Sequence, residues 1–499
     1  LVDKHPKAQV AESEAKVAHQ DGVAAPYLFE GITEEMVWKK ALKTQGGAGP
    51  SGVNADMMKD LLSSKKHGQQ ATNLRMAIAG LAQKLATQNC KNIEAYTARR
   101  LLALEKRPDG VRPIGIGEVL NRIVGKCVMH ILRTTVRKAA GNLQVCAGHL
   151  AGGEAAIHAM KEIYENEHID AVILVDAKNA FNTINREAML HNIKMKCPSF
   201  SQYVENTYGS PSELFIEGEE NCDVIKSEEG TTQGDPIAMA MYAIGLSVLQ
   251  DTLSANETNV KSVSYADDLI GAGSISDLYQ WWKKLEITGK KFGYFVNEQK
   301  SCLVVKPEKE KEARQIFSET SLMITTNGQK HLGAVIGSEN YKIEYVQSKV
   351  QEWNDELVRL SEIAKSEPHA AYTAFTFGMK HKWTYTQRTI PDISELLIPL
   401  ENTIKNSFIP ALINRQCTDH ERDLLTLPPR MGGLGIVNPS IMADKEYENS
   451  VKLTHQLRKH IIEQNKSAEV NDAEILHSRY EISQEREKKQ QEKMREIER

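Results

Sequence analysis

Two adjacent carboxylates, Asp267 and Asp268, follow Tyr265 and Ala266 between two short alternating runs, Val260 to Ser264 and Leu269 to Ala272. That pattern predicts a β-hairpin with both acids at its tip. Neighbouring like charges repel, and a turn that needed only polarity would more cheaply use Asn-Gly. A hard divalent cation removes the conflict, because Mg²⁺ prefers carboxylate oxygens. A third acid, Asp176, closes the continuous apolar run Ala171 to Val175, which predicts a strand buried on both faces and a charge presented at its end. A helix-capping role there falls better on Asn185, which directly precedes Arg186 to Leu190.

The elements that would position these acids include Gly230-Thr231-Thr232-Gln233-Gly234-Asp235-Pro236, a loop opening into a helix that is apolar nearly all round from Ile237 onward. Its glycines let backbone approach a ligand closely, and Gln233 offers an amide there.

Together, in this order and spacing, these segments resemble the palm of a reverse transcriptase. Asp176 falls in the first palm motif, Gln233-Gly234 in the second and Tyr265-Ala266-Asp267-Asp268 in the third. Leu102 to Ile114 is similar to the fingers hairpin, Gly293 to Ser301 to the fourth palm motif, and His331-Leu332-Gly333-Ala334 to the primer grip. Leu427 to Gly435 is similar to a segment beyond the thumb in retroelement polymerases without long terminal repeats, the type the chain resembles most. One departure is Asp235, where elements of that type usually carry Ser after Gln-Gly.

The resemblance implies an α+β right-hand polymerase with fingers, a palm of antiparallel sheet backed by helices, and a helical thumb. It implies RNA-directed DNA synthesis from a primer with dNTPs, in retroelement mobility, by two-metal nucleotidyl transfer. Asp176 and Asp267 would bridge two Mg²⁺ ions (Mn²⁺ being an alternative), with Asp268 contributing more weakly and the Ala177 carbonyl completing one site. Lys106 and Arg112 would hold the β- and γ-phosphates, Arg as a planar fork and Lys as a point charge. Gln233, Gly234 and Tyr265 would belong to the nucleotide site. Lys300 is a candidate proton donor to pyrophosphate, or equally a solvent-facing lysine at a strand edge. The expected partners are an RNA template, a DNA primer and dNTPs, with other element-encoded domains or proteins and no membrane.

Three other readings compete with this one. RNA-dependent RNA polymerases resemble this palm but place a second Asp five residues after the first, to accept a ribose 2′-hydroxyl. Here that position is Phe181, whose ring offers no hydrogen bond and fills the space, which favours a DNA-making enzyme. A domesticated nucleic-acid-binding relic would be expected to lose its metal carboxylates first, since they cost folding energy without a metal, yet all three are present. A group II intron maturase would need further domains after the thumb, where only a short charged stretch follows.

Composition is that of an ordinary globular chain: 499 residues, 26% charged, 41% apolar, net charge −4. Between Lys59 and Lys138, however, 16 Lys or Arg stand against 5 Asp or Glu, the kind of local excess a template track needs. The seven cysteines are odd in number and have no Cys-x-x-Cys, which points to a reducing, intracellular compartment, nucleus or cytoplasm. The longest apolar stretch, Pro236 to Leu249, is too short to span a bilayer.

Along the chain, residues 1–55 read as a loosely held arm and linker, 56–170 as N-terminal helices and fingers, and 171–340 as palm interleaved with fingers elements. Residues 341–440 read as thumb and post-thumb segment, and 441–499 as a helical charged tail whose last twenty residues have no apolar face.

Overall fold

In the computed structural model, which describes residues 1–106, 110–217, 221–254 and 259–497, the chain forms two compact units. The first comprises residues 1–149, 175–301 and 465–467; the second comprises 150–174, 302–464 and 468–499. Both contain helices and strands, and most of the described strand pairings are antiparallel, as in an α+β chain.

A four-stranded sheet in the first unit runs in the order Val111–Gly117, Arg99–Glu105, Ser212–Glu217, Cys222–Ser227. Its outer pairings are antiparallel hairpins, whereas Arg99–Glu105 meets Ser212–Glu217 in parallel. The apolar run after Pro236 becomes the helix Ala238–Ser254, buried on almost every side. It begins two residues later than a Pro236 start would place it, after a turn in which Asp235 Oδ1 accepts the Ile237 N–H at 3.0 Å. Asn185 caps Arg186–Lys196 as expected, its side chain accepting the Ala188 N–H at 2.8 Å.

The N-terminal arm differs from its sequence reading. It is tied along Arg186–Lys196 by side chains that bond its backbone: Glu229 takes the Gln9 N–H at 2.8 Å, Glu187 the Ala11 N–H at 3.0 Å, and Asn192 the Val17 N–H at 2.9 Å. Asn192 also donates to the Ala15 carbonyl, and Asn179 to that of Lys4. An Ala- and Glu-rich segment with no apolar period looks loose because its partners lie more than 170 residues away. Part of the basic excess of residues 59–138 is structural as well. Arg122 donates to the carbonyls of Gln45 and Gly47, Lys126 to that of Lys43 and Arg75 to that of Leu62.

In the second unit Ala171–Leu174 pairs antiparallel with Cys302–Val305, which pairs in parallel with Met323–Thr325. The apolar run before Asp176 is thus a buried strand, as read. Long helices follow, Glu339–Ser366 and Pro439–Ile462 among them, around a core that includes Trp353, Phe375, Trp383 and Phe408. Pro439–Ile462, read as the start of a charged tail, packs its buried face on Gly152–Glu165, where His158 Nε2 lies 2.8 Å from Ser450 Oγ. The last helix, Asp472–Ile497, is held mainly by ion pairs such as Lys445–Glu485 at 2.9 Å and Arg486–Glu446 at 2.6 Å. No helix of the described residues is long and apolar enough to cross a membrane.

Candidate active site

Lys261–Tyr265 and Asp268–Gly273 form the hairpin anticipated around the paired acids, with Tyr265 opposite Asp268. The turn leaves Ala266 at φ 56°, a left-handed conformation that a β-carbon makes costly. The buried Gln144 offsets that cost. Its carboxamide accepts the Ala266 N–H at 2.9 Å and donates to the Ala266 carbonyl at 3.1 Å. Its neighbours Leu143 and Val145 bond Ser264, so the segment 143–145 extends the free edge of the hairpin. Gln144 carries no signal in the sequence, because its task is set wholly by tertiary placement.

Asp176 is held from the opposite direction. Its N–H donates to Ser301 Oγ at 3.0 Å, and Asn297 donates both its side-chain amide to Asp176 Oδ2 at 3.0 Å and its N–H to the Asp176 carbonyl at 2.7 Å. The bonds flanking Ala177 run from Lys178 N–H to Phe295 and from Asn297 N–H to Asp176. Tyr294, fully buried, donates its hydroxyl to the Asp267 carbonyl at 2.9 Å. The segment 293–301 thus acts as a brace for both acidic elements.

The electrostatics bring the carboxylates and two cations into one field. Burial pushes the Asp267 carboxyl above its usual range; its own backbone amide opposes this, Asp176 adds to it, and Arg112 and Lys106 pull the other way. Asp268 is raised to about 6 by burial, then by Asp267 and Asp176. Beside them the buried Tyr242 has its phenol pushed far up by burial and by Asp267, and its hydroxyl has no protein partner among the described residues. A set of all-oxygen donors, short of positive charge and with an orphaned hydroxyl nearby, fits a hard divalent cation. Among the described residues no three His, Cys, Asp or Glu side chains are gathered closely enough to hold a metal ion by themselves.

Lys106 directly follows the strand Arg99–Glu105 and Arg112 is the second residue of its partner Val111–Gly117, both exposed at the turn end of the hairpin. The turn residues 107–109 of that hairpin lie outside the described residues. Phe181 stacks on Tyr242, ring centroids 4.5 Å apart and 18° between planes. Gln233 binds the strand Val111–Gly117 through its carbonyl, which accepts the Gly115 N–H at 2.9 Å. Gly234 sits at φ 107°, and a β-carbon there would come 2.8 Å from the Gly115 carbonyl, which only glycine avoids. Lys300 is exposed within the brace, its N–H bonded to the Asn297 carbonyl at 3.1 Å.

His331, Leu332 and Gly333 belong to the second unit. Leu332 and Gly333 both have positive φ in a two-residue turn between Gly328–His331 and Ala334–Gly337. Two tyrosines hold the turn, Tyr385 donating to the Leu332 carbonyl at 2.8 Å and Tyr345 to that of Gly333 at 3.1 Å. The His331 imidazole is buried, which lowers its pKa to about 4.

Residues 104–345 match the family model described as "Reverse transcriptase (RNA-dependent DNA polymerase)". A segment of 214 residues is 23% identical to the retrotransposable element SLACS 132 kDa protein of Trypanosoma brucei gambiense, covering 41% of this chain and 17% of that protein. The chain therefore spans only a small part of that relative's length. Among solved structures it is similar to a telomerase from Candida albicans (TM-score 0.41, 10% identity, 74% of this chain and 63% of the other) and to one from Candida tropicalis (TM-score 0.39, 13% identity, 77% and 68%). The matched segment contains Lys106, Arg112, Asp176, Phe181, Gln233, Asp267, Asp268 and the 331–334 turn, and over it the chain is similar to the reverse transcriptase family.

Proposed function

We propose that the protein is an RNA-directed DNA polymerase of a retroelement, extending a DNA primer on an RNA template with dNTPs. The observation that carries this reading is the common field of Asp176, Asp267 and Asp268 with Lys106 and Arg112, inside the segment that matches the reverse transcriptase family. In this reading the four-stranded sheet is the fingers, the acidic hairpin with its brace the palm, and the helices after Ser338 the thumb.

Asp176, Asp267, Asp268 and the Ala177 carbonyl would hold divalent cations, Mg²⁺ or Mn²⁺. When bound, such ions make a hydroxyl nucleophilic at neutral pH and neutralise charge on a leaving pyrophosphate. The chain's own residues supply the rest. Arg112 and Lys106 orient the β- and γ-phosphates from the hairpin's turn end. Gln233 and Gly234 bring an amide and bare backbone against the nucleotide, and Phe181, propped by Tyr242, occupies the space a ribose 2′-hydroxyl would need. Tyr265 lines the hairpin tip, the 331–333 turn steadies the primer, and Lys300 is placed to protonate pyrophosphate. The place of work is intracellular.

The test is primer extension on RNA and on DNA templates with dNTPs, with an Asp267→Asn control. Template-directed extension abolished in the control supports the reading. Tight primer–template binding with no extension by the wild type under Mg²⁺ or Mn²⁺ would replace it with that of a nucleic-acid-binding relic.

A further inference from the structure

The aspartate that replaces the usual Ser after Gln233-Gly234 is one half of a buried ion pair. Arg99, at the base of the fingers hairpin, and Asp235 are bonded through Nη2 and Oδ2, their side chains only 1% and 3% exposed. Tyr208 donates its hydroxyl to the same oxygen at 2.9 Å, and the Ile237 N–H donates to the other at 3.0 Å. The Arg99 guanidinium lies 5.2 Å from the Tyr208 ring centroid and also donates to Ser212 Oγ and to the Thr97 carbonyl. Every lone pair that matters on Asp235 has a donor.

The pair joins two elements that the polymerase reading assigns to the same nucleotide. Arg99 begins the strand that leads directly into Lys106, and this strand is paired residue for residue with the one carrying Arg112. Asp235 ends the loop carrying Gln233. Around the pair the two elements are pressed together: Gln233 takes the Gly115 N–H, and a β-carbon at Gly115 would collide with Thr232 Cγ2. A contact placed only for stability would be served as well by apolar packing of equal volume. A hydrogen-bonded ion pair fixes orientation too, because the guanidinium fork accepts a carboxylate in few geometries.

We propose that Asp235 is a positioning residue. It locks the 231–235 loop onto the fingers hairpin, so that Gln233 and the phosphate-holding Lys106 and Arg112 form one rigid nucleotide cradle. The proposal rests on the polymerase reading for its ligand, a nucleoside triphosphate, but the lock itself can be measured without it.

Two variants test it, Asp235→Ser and Tyr208→Phe, the second removing one hydroxyl and leaving the ring in place. Asp235→Ser should raise KM for dNTP about tenfold, with kcat and primer–template affinity within about twofold, since ground-state placement of the nucleotide is what loosens. Hydrogen exchange at the Gly115 amide, which reports the Gln233 bond directly, should quicken in step. Tyr208→Phe should move both in the same direction, by about two- to fivefold. Unchanged KM and unchanged Gly115 protection in folded variants would overturn the proposal and reduce the pair to core. If Asp235→Ser does not fold, Tyr208→Phe decides by the same two readouts. A wild type that incorporates no dNTP would sink the polymerase reading, while Gly115 exchange would still decide the lock.

Discussion

Asp235 and Asp267 are both withdrawn from water in the same unit, and their surroundings treat them in opposite ways. Around Asp235 stand a guanidinium, a phenol hydroxyl and a backbone N–H. Asp267 meets burial and the charge of Asp176, with Arg112 and Lys106 only partly offsetting them. Removing a carboxylate from water costs several kcal/mol unless donors replace the solvent. For Asp235 the protein replaces it in full. For Asp267 and its neighbour it does not, and the residual repulsion is what a divalent cation would relieve. A satisfied buried charge holds the architecture; an unsatisfied one is kept for chemistry.

The comparison breaks most visibly under neutralisation. Asp267→Asn should cut extension by more than about a hundredfold, as should Asp176→Asn, because each would remove a carboxylate that the proposed reading gives to the divalent cations. The same Asp267→Asn change should raise the stability of the metal-free protein by about 1 kcal/mol, seen as a melting temperature higher by about 2 °C. Asp235→Asn leaves Arg99 buried without its counter-charge and should destabilise by about 3–5 kcal/mol. Thermal melts of the three proteins in EDTA check the signs. If both substitutions shift the melting temperature the same way, the two aspartates are not of different kinds.

Phe181 sharpens the comparison with a neutral group, since its ring rests on Tyr242, whose hydroxyl is also unsatisfied. Phe181→Val should lower the ratio of kcat/KM for dNTP over rNTP by at least about tenfold, because exclusion rests on a clash rather than a small apolar difference. The dNTP value should fall less, through looser placement of the sugar. A folded, active variant with an unchanged ratio would make the Phe181–Tyr242 stack a piece of core.

Asp268 gives a pH signature. Its folded pKa, about 6, lies above the ordinary carboxylate value of 3.8. Below about pH 4 it is protonated in both folded and unfolded chains and costs nothing. As pH rises from there through about 6 the unfolded chain releases its proton first, so the folded state loses stability over that window and stays penalised above it. Metal-free wild type should therefore lose melting temperature relative to Asp268→Asn between about pH 4 and 6, and saturating Mg²⁺ should shrink the gap at neutral pH. A gap that is flat with pH would mean that Asp268 titrates as a solvated acid.

What the sequence disclosed, and what it hid, follows the same physical line. The acidic hairpin, the strand before Asp176 and the apolar helix after Pro236 were legible because each is a local pattern, alternation or an unbroken apolar run. Gln144 and Arg99 carry no local signal, and Asn297 and Ser301 show only as part of a motif, because each works through a partner distant in sequence: Gln144 reaches Ala266, 122 residues on, and Arg99 reaches Asp235, 136 residues on. The arm of residues 1–25 looked loose for the same reason. Asp235 was noticed as a departure in type, but nothing local named its partner.

The two chain ends supply the smallest effect, and a third way of treating charge. The arm is bound by side chains that satisfy its backbone, some of them buried, such as Asn192. The final helix is bound by pairs that remain wet: Lys452–Glu481 at 2.7 Å with side chains 49% and 45% exposed, and Lys493–Asp423 at 2.7 Å with 32% and 52%. Exposed pairs contribute about 0.2–1 kcal/mol each and are screened by salt within about 10 Å at 0.1 M. Deleting residues 480–499 should thus leave extension near wild type and lower the melting temperature by about 1–2 °C at low salt. At about 1 M NaCl, where the screening length falls to about 3 Å, the difference should vanish. Trimming the arm to residue 26 should destabilise at both salt concentrations, because the neutral amide bonds of Asn192 and Asn179 to its backbone are not screened away. A tail deletion whose penalty survives high salt would show that the helix is held by its few apolar contacts, Ile475 and Ile482, and that its ion pairs only decorate the surface.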